Sequence, residues 1–130
     1  MQIFTLFLRF TAPVFLLVGA LHLALGVGAE VMLGAKLPSA ALNDAVLDSQ
    51  NRFYGIAFTL YGVLFLICAS DLHKYATVLR AVLWVFFAAG LARLVSIAVH
   101  GLPSMLVLVL LDTELILPPV LLVWLSKLAP

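Results

Sequence analysis

The chain holds a single cysteine, Cys68, among 130 residues. An internal disulfide is therefore excluded, and so is a metal centre built from several thiolates. No cationic residue adjoins Cys68 to favour a thiolate, so it reads as a buried apolar filler rather than a reactive thiol. Charge is scarce as well. Asp, Glu, Lys and Arg make up 10% of the chain, against about a quarter in an ordinary soluble domain. The net charge of +1 gives no electrostatic footprint for nucleic acid. There is no glycine-rich phosphate loop, no HExxH, no histidine pair at metal-ligand spacing, and no Ser or Cys beside a base. These absences predict no cofactor, no metal and no recognisable catalytic residue.

What the chain has in excess is apolar surface: 65% of residues are hydrophobic and the mean hydropathy is +1.25. A soluble core of this size cannot hide so much, so lipid must be the solvent for most of it. The expectation is an all-α integral membrane four-helix bundle, a single domain over residues 1–130. Its spans fall at about 8–33, 51–70, 79–99 and 104–126, joined by short loops and one longer exoplasmic loop.

The first apolar run covers residues 3–33, with Arg9 near its start. Arg9, apolar sequence and then GVGAE also fit a signal peptide cut after Ala29. The length of the run favours a retained span, with Pro13 in its first turns, where a missing N–H is tolerated. Gly19, His22 and Gly26 follow i, i+3, i+7, a small-residue face that admits a neighbouring helix. His22 thus points into a helix contact, as a hydrogen-bonded imidazole or as a ligand or proton relay. In the loop, KLPSAALNDAVLDSQ offers Pro38-Ser39 as a helix start, with Leu42, Val46 and Leu47 on one face. A short amphipathic helix on the bilayer surface and an irregular loop are both open there.

The second span opens with DSQNRFYG, which includes Asn51, Arg52 and Tyr54. Arg52, Gly55, Thr59 and Gly62 share one face; Tyr54, Phe58, Tyr61 and Phe65 line another, for packing or for stacking on a ligand. Arg52 lies near the span's end and can also snorkel to the interface. Residues 70–80 form a polar connection with Asp71, His73, Lys74 and Arg80 as solvated interfacial charges. The third span carries Arg93, Ser96 and His100 at i, i+3, i+7, and HGLPS makes a tight turn into the fourth. Trp124 falls where Trp favours the headgroup level.

The fourth span holds the feature around which the rest is organised. In LLDTELILPPVLLVW, residues 110–124, Asp112 and Glu114 sit in the middle of an apolar run, followed by Pro118-Pro119. Carboxylates at that depth are costly and face the bundle interior, paired. Spans three and four are antiparallel neighbours across the tight turn. Arg93 lies ten positions before Pro103, and Asp112 nine after it. At about 1.5 Å per residue, Arg93, Asp112 and Glu114 share one depth. Asp112 and Glu114 point about 200° apart, so only one can meet Arg93. The other is expected to look toward Arg52 and His22, giving one polar layer. The prolines withhold donors from the carbonyls of Glu114 and Leu115, so a bend is expected just beyond the carboxylates.

Arg9, the amino terminus, Lys74, Arg80 and Lys127 gather on one side if the four spans alternate; Lys36 and Arg52 lie on the other, among Glu30, Asp44 and Asp48. Lys and Arg gather in the cytoplasm, so both termini are expected there.

Three stretches now carry a resemblance: DSQNRFYG opening span two, GLARLVSIAVHGLPS closing span three, and a Glu before prolines in span four. Together they resemble a bacterial family of small four-span membrane proteins catalogued as domain of unknown function 4345. The resemblance covers most of the chain and marks Arg52, Arg93 and Glu114. Asp112 and His22 stand on the physical argument alone. The family implies a bacterial inner-membrane fold and no reaction. A looser likeness is to small sterol-pathway scaffold proteins, which begin a span with Arg, an aromatic residue and Gly. It is a likeness of fold only.

Two functions follow. One is a non-enzymatic scaffold, or a binder of a lipid-like molecule, whose polar layer of Arg52, Arg93, Glu114, Asp112 and His22, flanked by Tyr54 and Asn51, fixes the bundle or a headgroup. The other is a proton-linked carrier or small membrane enzyme with Glu114 as the titrating group and Arg52 or Arg93 as its tuner. Four short helices without an inverted repeat are few for a transporter, although a homo-oligomer or another membrane protein as partner leaves room for a pathway. The first reading is preferred.

Overall fold

The computed structural model describes residues 1–129. It is all-helical, in the order α1 (Gln2–Leu25), α2 (Gly28–Met32), α3 (Ser39–Leu42), α4 (Ala45–Ser70), α5 (Ala76–His100) and α6 (Met105–Leu128). Four of these, α1, α4, α5 and α6, are long and apolar enough to cross a membrane, at 24, 26, 25 and 24 residues. At about 1.5 Å per residue, each exceeds the roughly 30 Å hydrocarbon core. The all-α, four-helix class expected from composition is therefore the one observed. The helices fall into two compact units, one over Gln2–Ser70 and the other from Asp71 onward.

In the N-terminal unit, α1 and α4 form an antiparallel hairpin. Residues late in α1 meet residues early in α4. A methyl group on Gly55 would sit 2.9 Å from the Gly19 carbonyl oxygen and 3.0 Å from the Leu23 amide nitrogen. Only a residue without a side chain permits this approach, which is how small-residue faces work in lipid. The aromatic row expected on a separate face joins the same contact. Phe58 lies 5.3 Å from the His22 ring, and Phe15 packs on Tyr61 and Phe65 at 5.7 and 5.3 Å. The row is packing. Tyr54 alone of the four stays exposed, edge-on to Phe53.

Several boundaries differ from expectation. The first apolar run does not continue as helix to residue 33. It ends at Leu25, because Gly26 takes a φ of +54°, a left-handed conformation open to glycine at little cost. The span also begins at Gln2, so Pro13 lies in its interior, on an exposed face, rather than in the first turns. The loop helix is a single turn, Ser39–Leu42, and does not extend to Val46 and Leu47 as one amphipathic helix. Asp44 intervenes: its Oδ1 accepts from the amides of Val46 and Leu47, both at 2.9 Å. This side-chain cap starts α4 six residues before the expected 51.

In the C-terminal unit, α5 and α6 form the second hairpin, joined by residues 101–104. Ser104 caps α6 by accepting from the Val107 amide at 3.5 Å. Gly90 admits α6 closely, with Leu115 and the Glu114 Cβ against it. Helix α6 runs through Pro118 and Pro119, and Pro118 is fully buried. The polar connection is shorter than expected, because α5 starts at Ala76. Arg80 is therefore a helical residue rather than a solvated loop charge, and its guanidinium donates to the Ala129 carbonyl. Lys74 lies over the Tyr75 ring, 5.1 Å from its centre.

Candidate functional site

Each hairpin carries its own polar cluster. In the C-terminal one, Arg93 stands on α5 and Glu114 on α6. Arg93 Nε donates to Glu114 Oε2 at 2.7 Å. The Glu114 side chain is 8% exposed and that of Arg93 33%, so the carboxylate is sealed while the guanidinium reaches the surface. A charge-assisted bond of this length, out of water, is among the stronger hydrogen bonds a protein makes. Of the two candidate carboxylates, Glu114 is the one that meets Arg93. Asp112, two residues back, is exposed. Its neighbour Thr113 turns its hydroxyl inward to the Val109 carbonyl at 2.9 Å.

The N-terminal cluster is built at the end of α1. Within this hairpin Arg52 makes two contacts. Its Nε donates to Asp48 Oδ2 at 2.7 Å, one turn earlier on α4, and its Nη1 donates to the Leu23 carbonyl at 2.5 Å. The Asp48 carboxylate lies against Gly26, where any side chain would collide with it. Asp48 and Arg52 thus clamp the α1–α2 turn onto α4. The sequence signal for this pair is the i, i+4 spacing of opposite charges in the stretch that opens the second span. His22 is buried; its Nδ1 donates to the Val18 carbonyl at 2.9 Å. Its Nε2 faces Glu30 Oε1 at 3.6 Å. Asn51 is buried. Its amide nitrogen donates to the Leu47 carbonyl at 3.1 Å, and its Oδ1 has no partner among the described residues. Tyr54 joins neither cluster. Among the described residues, no group of three or more His, Cys, Asp or Glu side chains is placed to hold a metal ion.

Four long apolar helices, with ion pairs at helix depth, define the class: a multi-pass α-helical membrane protein. Residues 3–125 match the family model described as Domain of unknown function (DUF4345), and the chain belongs to that family. No curated protein and no solved structure matches it.

Proposed function

We propose that the protein is a non-enzymatic bilayer-embedded module, a scaffold or binder for a lipid-like molecule, working as one four-span domain over residues 1–130. The carrying observation is the state of Glu114. The side chain best placed for acid–base work is buried and held at 2.7 Å by Arg93. That bond joins α5 to α6, so the pair acts as a fastening. In the other hairpin Arg52, braced by Asp48 on the same helix, ties α4 to α1 through the Leu23 carbonyl. The exposed Asp112 fits a contact with another membrane helix, of a second copy or of a different protein, because a bare carboxylate in a span is costly. The proton-linked carrier using Glu114 is the weaker reading on the same ground.

The setting we propose is a bacterial inner membrane with both termini in the cytoplasm, on the distribution of Lys and Arg. Two measurements test the function. Native mass spectrometry of the protein released from membranes in mild detergent is expected to show retained lipid. Vesicles holding the protein and a pH-sensitive dye are expected to pass protons no faster than empty ones under an applied potential. A flux that disappears in Glu114→Gln moves the reading to a carrier.

A further inference from the structure

We infer that the outer edge of Arg93, with Ser96 and His100, forms a site for the phosphate of an anionic lipid headgroup. The inference rests on the lipid-binding reading above and names its ligand. Arg93 spends only Nε on Glu114. Its two Nη groups carry four N–H donors with no hydrogen-bond partner among the described residues, on a side chain one third exposed. Glu114 holds the guanidinium at Nε and leaves both Nη groups available. Their edge matches two oxygens of a phosphate at once, which a lysine ammonium cannot do.

The donors continue along the helix. Ser96 and His100 follow at i+3 and i+7, on the face of α5 that bears Arg93. Both are exposed, and neither makes a side-chain hydrogen bond among the described residues. Arg93 can only donate, and a serine hydroxyl and an imidazole can each donate. The row therefore suits an acceptor-rich anion. The ends of the helices do not oppose it. The negative end of α5 lies beside the positive, N-terminal end of α6 across a four-residue turn, so the two dipole ends offset each other.

Depth distinguishes such a site from the bulk interface. Helix α5 has 25 residues, about 37 Å at 1.5 Å each. Arg93 lies seven residues before its end, about 10 Å in. With some 3–4 Å of helix beyond the hydrocarbon at each end, the guanidinium sits several ångströms below the headgroup plane. A lipid meeting it must be drawn inward.

The test uses the full chain in detergent and in nanodiscs. The probes are dioleoyl phosphatidylglycerol, dioleoyl phosphatidylcholine and inorganic phosphate, read by native mass spectrometry and by the melting shift. Phosphatidylglycerol is expected to be retained about tenfold over phosphatidylcholine, whose phosphate carries a choline cation that the Arg93 charge repels. Because Arg93→Gln alone strands Glu114, the decisive variant is Arg93→Gln with Glu114→Gln, expected to abolish the preference. Ser96→Leu with His100→Leu, at exposed positions, is expected to reduce it while the melting temperature without lipid stays unchanged. A preference kept in the Arg93/Glu114 double variant overturns the inference. So does equal retention of both lipids, which leaves the lipid-binding reading standing. Retention of neither lipid overturns both. Inorganic phosphate that stabilises the protein as phosphatidylglycerol does shows a site for a free anion and overturns the assignment to lipid.

Discussion

Removing both members of the Arg93–Glu114 pair should cost less than the sum of removing each alone. Arg93→Met leaves Glu114 with its side chain 8% exposed and no cation. Stranding a buried charge typically costs about 3–5 kcal/mol. Glu114→Gln leaves Arg93, which is one third exposed and can turn toward the interface, so about 1–2 kcal/mol is expected. The double variant keeps neither charge and loses mainly packing against Gly90 and Leu115, about 1–3 kcal/mol. The lipid-embedded unfolded state moderates these figures, because stranded groups find other partners there. Hydrogen-bond couplings within membranes average about 0.6 kcal/mol and reach about 1.7. An ion pair at 2.7 Å belongs in the upper part of that range, so a coupling of about 1–2 kcal/mol is expected. The assay is reversible unfolding in mixed micelles for the native protein, both singles and the double. Additivity within about 0.5 kcal/mol refutes the idea that the pair is a fastening, and with it the ground for preferring a module over a carrier.

Gly55→Ala places a methyl group against the backbone of Gly19 and Leu23 and should destabilise the first hairpin by about 1–3 kcal/mol; Leu60→Ala, at a position 56% exposed, should unfold in the same micelles close to the native curve. Gly26→Ala meets both the +54° φ and the Asp48 carboxylate, a cost of at least about 1–2 kcal/mol. Gly28→Ala has only Leu25 Cβ at 3.5 Å and should stay within about 0.5 kcal/mol, which thermal melting of the pair will compare. Asp44→Ala removes the acceptor for two amides of α4 and should cost about 1 kcal/mol, with faster amide exchange at Val46 and Leu47. Reporter fusions at Lys36 and Lys74 should read external and cytoplasmic respectively; a cytoplasmic Lys36 inverts the proposed orientation.

Much of the C-terminal hairpin was legible because its turn is short. Few residues separate α5 from α6, so counting outward from the turn sets Arg93 and Glu114 at one depth. Two residues on a helix point far apart, so one carboxylate had to be excluded. Counting could not say which. That depends on the rotation of α6 about its axis, which Gly90 sets by admitting Leu115 and the Glu114 side of the helix. At Arg52 the first hairpin supplies a partner that hydropathy does not reveal. That partner, Asp48, lies on the same helix, and the start of that helix was set six residues too late. The cap at Asp44, which lengthens α4, is a local polar signal inside a stretch judged by hydropathy.

By itself, the sequence determined the solvent and the number of helices long and apolar enough to cross it. Each follows from the cost of polar groups in lipid, which acts on residues one at a time along the chain. The tertiary structure decided which face of each helix meets its neighbour. In lipid, nearly every face of a span is apolar, so hydropathy does not tell the lipid side from the protein side. Facing is settled by close packing at Gly19, Gly55 and Gly90, and the choices of Glu114 over Asp112 and of Asp48 for Arg52 depend on where that packing turns each helix.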